Sequence, residues 1–518
     1  MRSVMKHSFS QVPSVQIPRS RFDRNSGWKG TFDGGWLIPF YSDEVLPGDT
    51  FSVRATAFAR LATPIHPTMD NMRCETFFFF VPNRLIWDNW QRFCGEQDNP
   101  NDTTDYLVPQ QSPPAGGYPE MSLQDNFGLP TKVEGYTHSA LYLRAYNLIW
   151  NEWFRDQNLQ DSIPVDTGDG PDDVSNYVMR RRNKRHDYFT SCLPFPQKGP
   201  AVEINLGEAA PITYTPAGAG VEYLTIQNSD NDEAVRMYAD AGTSDYVAAN
   251  LTDGLGGSPM YANLSEANSG TINALRQAFQ IQRMLERDAR GGTRYTEINR
   301  SHFGVISPDA RLQRPEYLGG GSTPVNISAV AQTSSSDATT PQGNLSGIGT
   351  VGVSGHGFSK SFTEHGVLIG IINVRADLTY QQGLERRWSR QTRYDYYWPS
   401  LAHLGEQAVT NKEIYCQGTA EDDGIFGYQE RYGEYRYKPS IITGRFRSNS
   451  AVPLDAWHLS QDFQSLPLLN DSWIQDNPPI DRIIAVQDEP HFICDAYVQQ
   501  SCVRPMPMYG VPGLIDHF

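Results

Sequence analysis

Apolar positions along this chain recur in short runs, separated by connections of very unequal length. Phe51 to Leu61 alternates apolar and polar residues, as a strand with one buried face does. Thr76 to Val81 contains Phe77-Phe78-Phe79-Phe80. Four successive phenylalanines place large rings on both faces, so this strand is expected to be central and covered on both sides, with Pro82 ending it. Gly366 to Val374 reads as a second buried strand, and Ile441–Arg447 and Phe492–Val498 as further ones. Helical spacing predicts a helix over Asn83–Phe93, with Ile86, Trp90 and Phe93 on one side. It predicts another over Ser139–Phe154, striped by Tyr142, Tyr146, Ile149, Trp150 and Trp153. A third is expected over Thr271–Arg290, striped by Leu275, Ala278, Phe279, Gln282 and Leu285 and stopped at Gly291-Gly292.

The remaining stretches are connections. Residues 98–136 are rich in Asp, Asn, Gln and Pro and read as irregular. Residues 319–357, rich in Gly, Ser and Thr, are expected to be extended or loosely ordered. Residues 204–270 are small and polar with almost no basic side chains. They cannot supply a core and are expected to form an exposed insertion. Many short strands with unequal connections predict a mainly β chain, a β-sandwich with long insertions containing a few helices.

Composition narrows the functional classes. With 518 residues, 44 Gly and 35 Pro, and a net charge of -16, the chain is not one that grips nucleic acid with its whole surface. The basic residues are instead concentrated. Residues 1–30 carry Arg2, Lys6, Arg19, Arg21, Arg24 and Lys29 against the single acid Asp23. They read as an irregular basic arm for DNA or internal contacts, or as a solvated tail. The run Arg180-Arg181-Arg182-Asn183-Lys184-Arg185-His186 follows the acidic loop Asp161, Asp166, Asp169, Asp172 and Asp173. It reads either as local neutralisation of those acids or as an anion contact. The loop departs from the EF-hand order, so no cofactor is expected and Ca²⁺ is held only as a minor reading. Six scattered cysteines make no CxxC spacing, which points to free thiols. No run is long enough to cross a bilayer, and Met1 to Gln16 lacks a signal-peptide core, so a cytosolic product without membrane insertion is expected.

Glu385 to Trp398 is the densest feature. Arg386, Arg387, Arg390 and Arg393 stand among Trp388, Tyr394, Tyr396, Tyr397 and Trp398. Arg, Trp and Tyr anchor protein contacts because each joins a flat apolar body to a polar tip. These nine residues are candidate subunit-interface anchors, with 428–438 as a second such segment. A wet edge of a β-domain is the alternative. Catalytic signals are weak. Gly347-Ile348-Gly349-Thr350-Val351-Gly352 matches G-x-G-x-x-G, but neither a strand before it nor a helix after it is expected. His365, His403 and His458, and the carboxylates Asp395 and Glu421-Asp422-Asp423, have no partner spacing that defines an acid–base pair. No enzyme is expected.

Several blocks carry a family resemblance. They include Ser20-Arg21-Phe22-Asp23-Arg24, Phe77 to Leu85, Lys184 to Ser191, Glu286 to Tyr295, Ser307 to Gly320 and Gln429 to Pro439. On these the chain resembles Microviridae major capsid proteins, the gokushovirus subgroup above all. The resemblance implies a single eight-stranded jelly roll with long loops. It implies pentamers and a T=1 icosahedral shell of sixty copies around circular single-stranded DNA. The implied partners are further copies of the chain, the genome, a small basic DNA-binding protein, a scaffolding protein and a host surface receptor, with glycans among the candidates. Residues 204–270 are the positional candidate for a three-fold protrusion used in host attachment, between jelly-roll segments 31–203 and 271–518. A jelly-roll glycoside hydrolase and a carbohydrate-binding protein are the alternatives.

Overall fold

The computed structural model describes residues 18–202, 272–306, 313–336 and 341–509, with the backbone of five short strands between 212 and 262. The chain divides into two compact units, 197–288 and the remainder.

The larger unit is mainly β and antiparallel. Its strands are β1 (Ser20–Asp23), β2 (Ser26–Phe32), β3 (Ile38–Val45), β4 (Thr50–Leu61) and β5 (Met72–Pro82). They continue with β6 (Glu316–Pro324), β7 (Asn326–Ala331), β8 (Leu345–Ser361), β9 (Gly366–Ala376) and β10 (Phe492–Arg504). One sheet runs β1-β10-β4-β8-β7, with β2 also on β10, and the other runs β6-β5-β9-β3. The two pack face to face through one core that includes Phe51, Val53, Phe78, Phe80, Val351, Leu368, Phe492 and Val498.

The patterns explain the pairing. In β4, Phe51, Val53, Ala55, Ala57, Ala59 and Leu61 point inward, and Ser52, Arg54, Thr56, Phe58 and Arg60 point out. Such alternation lets one face of the sheet stay wet. In β5, Phe78 and Phe80 enter the core between the sheets. Phe77 and Phe79 turn to a second core under the helix Leu141–Ile149. The run of four rings therefore makes a strand covered on both sides. Strand β9 is buried on both faces as well. Its Gly370 allows this: a Cβ there would sit 3.0 Å from Phe78 and Tyr41.

Some local expectations are corrected. Residues 20–32 of the basic arm are strands along β10, because their backbone groups complete its edge ladder. Asn83–Phe93 is a 3-10 turn (Asn83–Leu85) and a separate short helix (Trp90–Phe93). Between them Trp87 is drawn into the core, its indole N–H 2.7 Å from Asp169, and this tertiary bond outweighs the helical spacing. Ile441–Arg447 is one bridge at Ile441 followed by a 3-10 turn, since Gly444 adopts φ +67°. The helices over 139–154 and 271–290 form as Leu141–Ile149, with a wide turn through Phe154, and as Ile272–Gly291. The Gly/Ser/Thr-rich stretch is extended, as β6, β7 and β8, and the G-x-G-x-x-G lies inside β8.

In the smaller unit the backbone forms a three-stranded antiparallel sheet, Leu224–Gln227, Ala234–Ala239 and Val247–Leu251, and a pair, Ile212–Thr213 with Tyr261–Ala262. The expectation that 204–270 is exposed and coreless otherwise falls outside the described residues, as do Arg2 and Lys6.

Candidate functional site

Beyond Ala376 the chain leaves the sheet and is tied down again at Tyr380, whose N–H donates to Ser440 O (2.9 Å) and whose carbonyl accepts from Ile442 N (2.9 Å). The arginine and aromatic segment grows from this root. The Arg386 guanidinium donates to Ala408 O (2.7 Å) and to Glu413 (3.0 Å). Glu413 is buried and also accepts from the Tyr188 hydroxyl (3.0 Å) and Thr410 N (3.0 Å). Burial raises its carboxyl pKa above the ordinary range, and the Arg386 charge opposes that shift. Arg390 pairs with Glu434 at 3.0 Å and lies 4.4 Å from the centre of the Tyr435 ring. Arg386 and Arg390 are thus roots that hold the segment to the body.

The rest of the segment faces outward. Asp395 accepts from Thr392 N (2.7 Å) and Gln391 N (2.9 Å), closing a turn. The Trp398 indole donates to Arg393 O (2.8 Å), and the Arg393 guanidinium sits 5.5 Å from Tyr394 and 5.4 Å from Trp398. Arg387 pairs with Glu385 and lies 5.1 Å from Trp388. Trp388 is 70% exposed and Tyr394 60%, and every residue from 391 to 400 is exposed. Tyr396, Tyr397, Tyr435, Tyr437 and Ile441 extend the same surface. A groove of about 530 Å³ runs along it, lined by Tyr380, Trp388, Tyr437 and Ile441 among others. Rings that are pinned by hydrogen bonds yet uncovered bury area on docking at little entropic cost.

The other candidate residues among those described are engaged within the subunit. Arg19 donates to Gly48 O and to Thr50 Oγ1 (3.3 Å), Arg21 pairs with Asp23 (3.3 Å), Arg24 with Asp43 (2.7 Å) and Lys29 with Asp495. The run 180–185 does not neutralise the loop 161–173. Arg182 pairs with Glu75, which Arg375 also holds at 2.9 Å, and Arg185 pairs with Asp377. In the loop itself, Asp172 receives the buried Arg144 at 2.7 Å, and Asp169 accepts from Trp87 and Asn89. Among the described residues no three His, Cys, Asp or Glu gather as a metal site. Asp422 caps a turn through Gln417 N and Gly418 N, and His458 lies 2.7 Å from Phe446 O through Nε2.

The alternation of Phe51–Leu61 held a signal that sequence reasoning left unused. Its outward face brings Arg54 and Arg60, neither with a side-chain partner among the described residues, to either side of the exposed Phe58. Tyr497 and Ile493 of β10 stand beside them, also exposed.

Residues 10–514 match the family described as capsid protein (F protein). The chain is 51% identical over 525 residues to capsid protein VP1 of Bdellovibrio phage phiMH2K, covering 99% of this chain and 98% of that one. It is 48% identical to capsid protein VP1 of Chlamydia phage 1, covering 99% and 98%. To capsid protein VP1 of Spiroplasma virus 4 it is 37% identical, covering 98% and 97%. The resemblance to the gokushovirus group of Microviridae capsid proteins therefore holds along nearly the whole chain. The chain belongs to the capsid protein (F protein) family, and its role is that of a structural capsid protein.

Proposed function

We propose, from membership of that family, that this chain is the major shell subunit, sixty copies of which assemble with T=1 symmetry around a circular single-stranded DNA genome. The observation that carries this reading is the exposed arginine and aromatic surface rooted on Glu413 and Glu434. A subunit that worked alone would leave it uncovered, whereas a stable contact between copies buries roughly 1,200–2,000 Å² of such surface.

The fold reading that goes with it is the eight-stranded jelly roll. Strands β1 and β2 lie along one edge of β10, Asp23 opposite Ser501 and Ser26 opposite Val498, and count as one strand interrupted at Arg24 and Asn25. With β7 as an added edge, two four-stranded sheets are left, β2-β10-β4-β8 and β3-β9-β5-β6. The genome reading draws on the arm and on Arg54, Phe58 and Arg60, since a ring between cations suits an unpaired base, worth about 1–3 kcal/mol per base. A chain of net charge -16 leaves a packed genome largely unneutralised, so a small basic protein belongs to the proposal. A scaffolding protein, a host receptor reached through 204–270 and synthesis in the host bacterial cytoplasm complete it. This reading involves no catalysis.

Electron microscopy of purified native material tests it. Uniform icosahedral particles, with protrusions shortened when 208–268 is deleted, are expected. Material that stays a small oligomer with scaffolding protein and DNA supplied overturns the shell reading.

A further inference from the structure

The described surface holds a second patch whose chemistry is the inverse of the arginine and aromatic one. Residues 91–101 are all exposed, and the loop through them carries Glu96, Asp98, Asp102 and Asp105. No Lys or Arg occurs between Arg92 and Lys132. Asp102 is used locally, accepting from Asn99 N at 2.9 Å, and Asp98 lies 3.5 Å from Arg92. Glu96 and Asp105 have no side-chain partner among the described residues, and Leu107 beside them is 83% exposed. On the other patch, Arg393, Lys438 and Arg447 have no carboxylate partner among the described residues; Arg393 sits over Trp398, and Lys438 and Arg447 line the groove with Trp388 and Tyr437. Acids with an apolar tip on one patch are complementary to cations with aromatic walls on the other.

The placement of the two patches matters as much as their charge. The acidic loop starts at one end of β9, where Asn83 N donates to His365 O (3.1 Å) and the Trp90 ring packs 5.4 Å from His365. The arginine and aromatic surface starts past the other end, where Tyr380 follows Ala376. The strand between them has 11 residues, or roughly 35 Å at strand rise. Complementary patches that start from opposite ends of one strand suit a head-to-tail contact, which closes into a ring when the rotation permits. A two-fold contact centred on the arginine and aromatic surface would set Arg393 and Lys438 against their own copies, which like charge disfavours.

We propose that the loop Glu96–Asp105 of one copy docks on the Arg393–Lys438 surface of the next copy. This rests on the shell reading and adds to it which two surfaces meet. The test uses the full chain expressed under conditions in which the natural chain makes particles. One variant carries Glu96→Lys, Asp98→Lys and Asp105→Lys; a second carries Arg393→Glu and Lys438→Glu; a third combines both sets. Particle yield on gradients is the readout, with the subunit's Tm as the control for folding. Each set alone is expected to cut yield by about tenfold or more with Tm unchanged, and the combined chain to recover most of it. Unchanged yield in either single set, or no recovery in the combined chain, overturns the docking while leaving the shell reading intact. Absence of particles from the natural chain with scaffolding protein and DNA supplied overturns the shell reading instead, and the docking with it. A second measurement does not depend on charge: Asp105→Cys with Lys438→Cys is expected to link neighbouring copies on a non-reducing gel. Monomer alone on that gel overturns the docking.

Discussion

In the run Arg180–Lys184 the cations turn inward, while Arg185 stays exposed against Asp377. Arg181 lies 4.2 Å above Trp36, Arg182 4.6 Å above Phe77, and the Lys184 ammonium 4.4 Å above Trp473. In Arg386–Trp398 the same residue types turn outward, and only Arg386 and Arg390 reach buried carboxylates. The difference lies in what the fold brings over each stretch. Strand β5, through Glu75 and Phe77, and the segment through Trp473 and Asp476 close on the first. Nothing in the described subunit closes on the second. A guanidinium on a ring is therefore an internal joint in one place and an open contact in the other.

The largest effect is expected on the open side. Replacing Trp388, Tyr394 and Trp398 together by Ala removes three candidate hot spots, about 2 kcal/mol or more each. Particle yield on a gradient should collapse. The subunit's unfolding free energy from urea titration should change by no more than about 0.5 kcal/mol. A large loss of subunit stability would erase the contrast between the two regions.

Next comes the closed side. Arg182→Ala leaves Glu75 with Arg375 alone and uncovers Phe77, at a cost of about 3 kcal/mol in chemical denaturation of the isolated subunit. A cost near zero would mean that the run is as dispensable to the fold as a surface patch.

Both regions respond to pH through a buried carboxyl, since burial raises Glu413 beneath the second region as it raises Asp476 beneath the first. Burial raises the Asp476 carboxyl from 3.8 to about 7, against the pull of Arg375, Lys184, Arg182 and Arg181. Between those values the folded chain holds a proton that the unfolded chain has released, so stability falls as pH rises through that window. Burial also lowers Lys184 from 10.5 to about 8, and between those values the sign reverses and stability rises with pH. Asp476→Asn should flatten the first slope in urea midpoints measured between pH 4 and pH 7, leaving the part that Glu413 contributes. The triple variant at Trp388, Tyr394 and Trp398 should keep the first slope. A variant slope equal to that of the natural chain would show that another group titrates there.

The smallest expected effect sharpens the comparison. Asp395→Ala opens the turn beneath Tyr394 and Trp398 and should cost about 1 kcal/mol locally. Faster proteolysis within 391–400, with an unchanged global midpoint, is the expected readout.

Much of the β framework was legible in the residues. Phe51–Leu61 shows one wet face by its alternation, and Phe77–Phe80 announces a strand covered on both sides. The departures arose where a distant group outweighed local spacing. Trp87 left a helical pattern to reach Asp169, and residues 20–32 became strands because β10 offered an unpaired edge. Of the candidate site, the composition of 385–398 was legible, but the division between roots and open rings was not. That division depends on Glu413 and Glu434, which are far along the chain from any pattern that would pair them with Arg386 and Arg390.

By itself, the order of residues determined the period of each strand, the clustering of cations with rings, and a family membership that runs nearly end to end. Those properties are local or are carried by the residue string directly. Only the tertiary structure decided which cation and ring clusters were covered. Burial depends on what folds back from elsewhere, and Arg180–Arg185 and Arg386–Trp398 are too alike in composition for local chemistry to tell them apart.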